Sequence, residues 1–161
     1  GQNLRPKTFG RPYGLMAREP HGALAPLTNR EDCMDIRTHH GIDPDLCGRP
    51  QTLEAGFCRV AWTATQRMAA DEKGLVHGGF VFGLADYAAM LAVNDPHVVL
   101  GAASVKFLKP VSVGDHLAAE ARVRDISGRK HLVDVTVTRD ADVLLEGQLT
   151  CFVLDRHVLD G

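Results

Sequence analysis

The chain has 161 residues, a length that suits one ordinary domain, with 45% apolar and 24% charged residues and a formal net charge of −2. This composition excludes a disordered chain, and the slightly acidic balance argues against a polyanion-binding surface, which needs a basic excess. The longest apolar run, Phe80 to Val93, contains Asp86 and is too short and too polar to span a bilayer.

Residues 1–50 hold six of the eight prolines (Pro6, Pro12, Pro20, Pro26, Pro44 and Pro50) and little hydrophobic periodicity. They are expected to form a largely irregular N-terminal extension, with a short helix in Met34–Asp43 leading into the domain. Gly1 in place of Met reads as a tag remnant, which would make part of the extension foreign to the natural chain. Cys33, Cys47, Cys58 and Cys151 fall at irregular spacings without a C-x-x-C pair, and no secretory leader is evident. A cytoplasmic location follows as the expectation. His39, His40 and Cys47 lack zinc-ligand spacing, so no metal is expected.

Residues 51–156 are expected to form the domain and 157–161 a short tail. Phe57 to Thr65 alternates, with Cys58, Val60, Trp62 and Ala64 on one face, as a half-buried strand does. A Gly-rich stretch, Gly74 to Gly79, precedes the run Phe80–Val93. Its fourteen residues, rich in Ala, Leu and Met, predict a helix, and apolar side chains all round it predict burial on every side. Asn94-Asp95-Pro96 ends it. Four strands are predicted beyond it: Val98–Leu108, His116–Ile126, His131–Arg139 and Val143–Leu154, with hairpin turns at Ser127-Gly128 and Asp140-Ala141-Asp142. Strand, buried helix and four strands describe an α+β layer in which a sheet wraps one helix.

Asp86 is the only charge in that helix. An unpaired buried carboxylate is costly, and an apolar pocket raises its basicity toward the range useful for acting on water. An aspartate on one wet edge of the helix is the alternative. Gly78 and Gly79 at the helix start leave backbone N–H groups approachable at the positive end of the dipole, where an oxyanion can be held; close helix–sheet packing would use the same glycines. Eight residues at 1.5 Å each separate Gly78 from Asp86 by roughly 12 Å. One carbonyl therefore cannot touch both within a chain, whereas two antiparallel helices about a two-fold axis could bring them together.

His77-Gly78-Gly79-Phe80-Val81-Phe82-Gly83-Leu84-Ala85-Asp86 resembles the H-G-G-x-x-x-x-L-x-D signature of hotdog-fold acyl-CoA thioesterases of the phenylacetyl-CoA thioesterase type. Phe107-Leu108-Lys109-Pro110 with Gly114-Asp115 is similar to that family's F-x-x-P…G-D strand and turn, and the resemblance covers about Gly56 to Leu154. It implies a hotdog fold, an antiparallel sheet around a long central helix, in homodimers or homotetramers with sites between subunits. It further implies hydrolysis of an acyl-CoA thioester without a separate cofactor, since coenzyme A is part of the substrate. Asp86 would be the base or nucleophile, Gly78 with Gly79 of the other subunit the oxyanion site, and His77 a site residue that shapes the loop and bonds the substrate. Many relatives carry asparagine six residues before the histidine, where this chain has Asp71, a candidate for positioning substrate or water. Lys106, Lys109, Arg129 and Lys130 are candidates for the phosphates, and Phe82, Tyr87 and Met90 for an acyl pocket. Two other functions fit the fold: an acyl-CoA-binding module without catalysis, and a 3-hydroxyacyl dehydratase or hydratase, whose P-G-H-F and D-x-x-x-x-H patterns are absent.

Overall fold

A computed structural model describes residues 34–161. The expectations placed on residues 1–33, including four of the prolines and Cys33, lie outside that span. Six strands form one antiparallel sheet in the order β1-β2-β4-β5-β6-β3. They are β1 (Arg49–Glu54), β2 (Phe57–Thr63), β3 (Val98–Phe107), β4 (His116–Ser127), β5 (Lys130–Arg139) and β6 (Asp142–Val153). A four-residue helix α1 (Pro44–Cys47) precedes β1, and the long helix α2 (Gly78–Val93) lies across the sheet between β2 and β3. This is the hotdog arrangement that the sequence resembles.

The core follows from strand alternation. Val133, Val135 and Val137 of β5 and Leu145, Leu149 and Cys151 of β6 turn inward, each 2% exposed or less. On α2 the buried set Val81, Leu84, Ala85, Ala88, Ala89, Met90, Leu91 and Ala92 spans most of the circumference, because sheet and α1 enclose the helix from several directions. Asn94 ends α2 in the left-handed conformation, and its N–H donates to the Met90 carbonyl. Its side chain then holds the incoming chain: Arg37 N–H donates to Asn94 Oδ1 at 2.8 Å, and Asn94 Nδ2 donates to the Asp35 carbonyl at 2.9 Å.

That clamp corrects one expectation. Met34–Asp43 is not helical; it is held open by Asn94 and by the Met34 N–H bond to the Leu53 carbonyl. The helix starts one step later at Pro44, where Asp43 caps it by accepting from Asp45 N–H and proline occupies the first position. A second correction concerns β1, which the alternation did not reveal. Only Leu53 in its six residues is buried, and Pro50 is admissible because β1 is an edge strand with a register shift beside it. The sheet thus begins at Arg49, and residues 34–48 pack on it rather than trailing from it. Trp62 fixes α1 by donating from Nε1 to the Leu46 carbonyl at 3.1 Å. Among the described residues no helix is long and apolar enough to cross a membrane.

Candidate active site

The Gly-rich stretch is a short extended segment gripped from both sides. Val76 N–H donates to the Val111 carbonyl (2.8 Å) and His77 N–H to the Met68 carbonyl (2.9 Å). His77 is thereby placed as the residue preceding α2, with extended backbone, and its carbonyl takes the first turn's bond from Phe80 N–H at 3.0 Å. Among the described residues the N–H groups of Gly78 and Gly79 have no acceptor, as expected at the first two positions of a helix. Gly78, with Val81, Phe107, Leu108 and Pro110, lines a cleft of about 330 Å³. A Cβ on Gly78 would sit 3.4 Å from the Phe107 ring, and one on Gly79 would press to 3.0 Å against His77 Nε2. His77 packs edge-on against Phe80, so it shapes the turn through its ring. Leu75, Phe107 and Leu108 remain 43%, 55% and 47% exposed around this opening.

Asp86 lies two turns further on and does not line that cleft. Its Oδ1 is buried and has no hydrogen-bond partner among the described residues. Burial alone pushes its carboxyl pKa up to about 6. Two thiols stand near enough for its charge to raise their own pKa values. Burial is the larger cause for both, and it drives Cys151 of β6 to about 12 and the half-buried Cys47 of α1 upward. The sequence offered no signal for Cys47, which lies 39 residues before Asp86 on a segment expected to be irregular. Tyr87, next along α2, is buried and faces the ring of His39 at 6.5 Å, so the N-terminal segment also covers this part of the helix. Phe82 is half-buried against the core.

The remaining candidates are dispersed. Asp71 is exposed, and its Oδ1 accepts from Lys73 and Leu75 N–H at 3.0 and 3.1 Å, which makes it the brace of the loop before α2. Lys109 is ion-paired with Asp142 at 2.6 Å, and Lys106 sits opposite Glu146 on β3, both near the start of α2. Arg129 and Lys130 occupy the β4–β5 hairpin beside Val153, at the other end of β3. Eight strand residues, roughly 27 Å, separate the two groups. Lys106, Lys109, Arg129 and Lys130 are therefore not one cluster within a chain. No three His, Cys, Asp or Glu side chains among the described residues are grouped to hold a metal ion.

The site thus consists of two halves on one helix: bare amides at its start and an unpartnered carboxylate of raised pKa at its middle. Against known proteins, the profile of the thioesterase superfamily matches residues 73–146. The chain is 33% identical to the acyl-coenzyme A thioesterase PaaI of Escherichia coli over 106 residues, which cover 62% of this chain and 75% of that protein. It is 50% identical to a protein named methylthioribose-1-phosphate isomerase from Aquifex aeolicus, across 76% of this chain but 27% of that one. Three transcription factors named FapR match at 26–27% identity, and the chain spans 60–64% of their length. Among solved structures, an uncharacterized protein from Pyrococcus horikoshii superimposes with a TM-score of 0.78 at 52% identity, covering 80% of this chain and 98% of that one.

Proposed function

The chain belongs to the hotdog-fold thioesterase superfamily, and from that premise we propose that it hydrolyses an acyl-CoA thioester with Asp86 as the base. The observation that carries this reading is the buried, unpartnered Asp86 Oδ1 on a group whose pKa is about 6. Such a carboxylate is ionised at neutral pH yet basic enough to take a proton from water. The water oxygen adds to the thioester carbonyl carbon, and the resulting oxyanion is held by the bare N–H groups of Gly78 and Gly79. Collapse of the adduct breaks the C–S bond, and the proton held by Asp86 passes to the departing thiolate. Direct attack by the Asp86 carboxylate, through an anhydride that water then opens, uses the same groups.

Because about 12 Å separates Gly78 from Asp86 along α2, the two halves of one site come from two chains. The edge strand β3 supplies a way to join them. Its ten-residue outer edge is unpaired among the described residues, and Gly101, Ala102, Ala103 and Ser104 at its centre are small and exposed. A long open edge of this kind is a pairing surface. Two copies joined antiparallel there set the Phe107 end of one strand against the Val98 end of the other. That brings Gly78, which touches Phe107, toward the second chain's Asp86.

A panel of acyl-CoA substrates assayed for free thiol tests the reading. Asp86→Asn is expected to lower the rate by ~100-fold or more, the scale of losing a general base. Full activity in a folded Asp86→Asn protein would refute it. The matches to proteins named transcription factors rather than enzymes, with a hotdog neighbour from Streptococcus mutans solved bound to acetyl CoA, favour a second reading, an acyl-CoA-binding module without catalysis. Tight binding with no thiol release would select it. The isomerase name is not carried over, since the match spans about a quarter of that longer protein.

A further inference from the structure

The stretch that follows β3 lines the Gly78 cleft through Leu108, Pro110 and Val111, and it also holds the backbone from which α2 starts. Val76 N–H donates to the Val111 carbonyl at 2.8 Å, Val113 N–H donates to the Gly74 carbonyl at 2.9 Å, and Leu75 forms an isolated bridge with Ser112. Gly74, Leu75 and Val76 thus lie antiparallel along Val113, Ser112 and Val111, and Gly78 follows two residues later. A pairing this short does not fix its own position. The group that holds residues 110–115 therefore sets where the first turn of α2 stands.

That group is on the β5–β6 hairpin. Arg139, the last residue of β5, donates from Nη1 to Asp115 Oδ2 at 2.5 Å and to the Pro110 carbonyl at 3.5 Å. Asp115 Oδ2 also accepts from Ser112 N–H at 2.9 Å, so one carboxylate oxygen joins the guanidinium to the middle of the paired stretch. Arg139 Nη2 lies 3.6 Å from Asp142, which Lys109 meets from the start of the same stretch. Each of these four charges has an opposite partner, so the cluster acts as a clamp. The two pairs differ in weight. The side chains of Arg139 and Asp115 are 28% and 21% exposed, against 49% and 45% for Lys109 and Asp142. An ion pair shielded from water is felt more strongly than an exposed one, so the Arg139–Asp115 pair dominates. Arg139 itself does not line the cleft.

We propose that Arg139, acting through Asp115, is a positioning residue for the hydrolysis: it fixes residues 110–115, and through their pairing with 74–76 it fixes the amides of Gly78 and Gly79. The effect on the thioester step rests on the thioesterase reading; the clamp on residues 74–76 does not. An oxyanion donor works only when it is held where charge develops, so slack in this stretch slows the chemical step more than it weakens substrate binding.

The test is Arg139→Gln, which removes the charge and the fork of donors. In thiol release from an acyl-CoA, kcat is expected to fall about tenfold or more with KM within about twofold of native. The pH midpoint of kcat/KM should stay at its native value, because Asp86 is untouched. Native kcat, a loss confined to KM, or a shifted midpoint would overturn the proposal. Amide hydrogen exchange reads the clamp without any substrate. The Val76 and Val113 amides should exchange about tenfold faster or more in Arg139→Gln, with those of Val135 in β5 and Leu149 in β6 unchanged. No change at Val76 and Val113, or a uniform increase across the sheet, would overturn the clamp. Asp115→Asn, which keeps an acceptor oxygen and loses the charge, should repeat both results at smaller size; native kcat and native exchange in that variant would overturn the Asp115 link. A native protein that hydrolyses no acyl-CoA refutes the thioesterase reading, and the exchange result still decides the clamp.

Discussion

Asp86→Asn is expected to stabilise the protein while it abolishes activity, and the gain should depend on pH. Raising a carboxyl pKa from 3.8 to about 6 corresponds to about 3 kcal/mol of penalty on the ionised form, at 1.36 kcal/mol per unit. The folded state binds the proton more tightly than the unfolded chain, so stability falls as pH rises between the two values. Below about pH 4 the group is protonated in both states and the penalty is absent; above about pH 6 it is complete. Asparagine is neutral throughout and similar in shape, although its amide inherits the lack of a partner at Oδ1. The variant should therefore gain about 1–3 kcal/mol at pH 8 and no more than about 0.6 kcal/mol at pH 4. Urea unfolding of both proteins at pH 4, 5, 6, 7 and 8 reads this directly. A gain that is the same at every pH, or a loss at pH 8, would refute the assignment of Asp86 as a buried carboxylate without a partner.

Four further outcomes follow from the geometry. The kcat/KM of the native protein should climb tenfold per pH unit below about 6 and level off above 7, because only ionised Asp86 accepts a proton. Gly78→Pro should keep α2 intact, since proline suits the first helical position and His77 already has the extended backbone it requires. By removing one oxyanion donor it should cost about 100-fold in kcat; circular dichroism and thiol release check both halves. Gly48→Ala should destabilise by about 2–4 kcal/mol in urea, because φ is +95° and the new Cβ would lie 2.7 Å from both the Ala61 carbonyl and a Val60 methyl. Asp71→Ala should cost about 1 kcal/mol through its two lost backbone bonds, while Asp71→Asn, which keeps the acceptor, should cost under about 0.5 kcal/mol by the same titration.

Period-two alternation in residues 57–64 and 116–139 made those strands legible, as did the polar breaks at Ser127-Gly128 and Asp140. The structure ends and restarts the strands at those breaks, with Gly128 and Asp140 at positive φ. The helix was legible for a different reason. A fourteen-residue run rich in Ala, Leu and Met, with Asp86 as its single charge, exceeds any ordinary strand, and enclosure by sheet and α1 explains why its apolar residues form no single stripe. β1 was not legible because an edge strand with one buried residue has no alternation to show. The packing of His39, Leu46 and Cys47 near α2 depends on Asn94 and Trp62 reaching residues 59 and 16 positions away, contacts that no local pattern encodes. For the site, the motif singled out Gly78 and Asp86, and the resemblance suggested a positioning role for Asp71, whose oxygen braces a loop. The phosphate candidates were read from charge alone. The fold places Lys106 and Lys109 at one end of β3 and Arg129 and Lys130 at the other.

The central claim is that Gly78 of one chain and Asp86 of another complete each site. Mixing Gly78→Pro and Asp86→Asn proteins under conditions that exchange subunits tests it most directly. In a random mixture half the dimers are mixed, and each mixed dimer holds one complete site of two. Two nearly inactive proteins should then recover about 25% of native thiol release on mixing. No recovery, with mixed dimers demonstrated by native mass spectrometry, would contradict it.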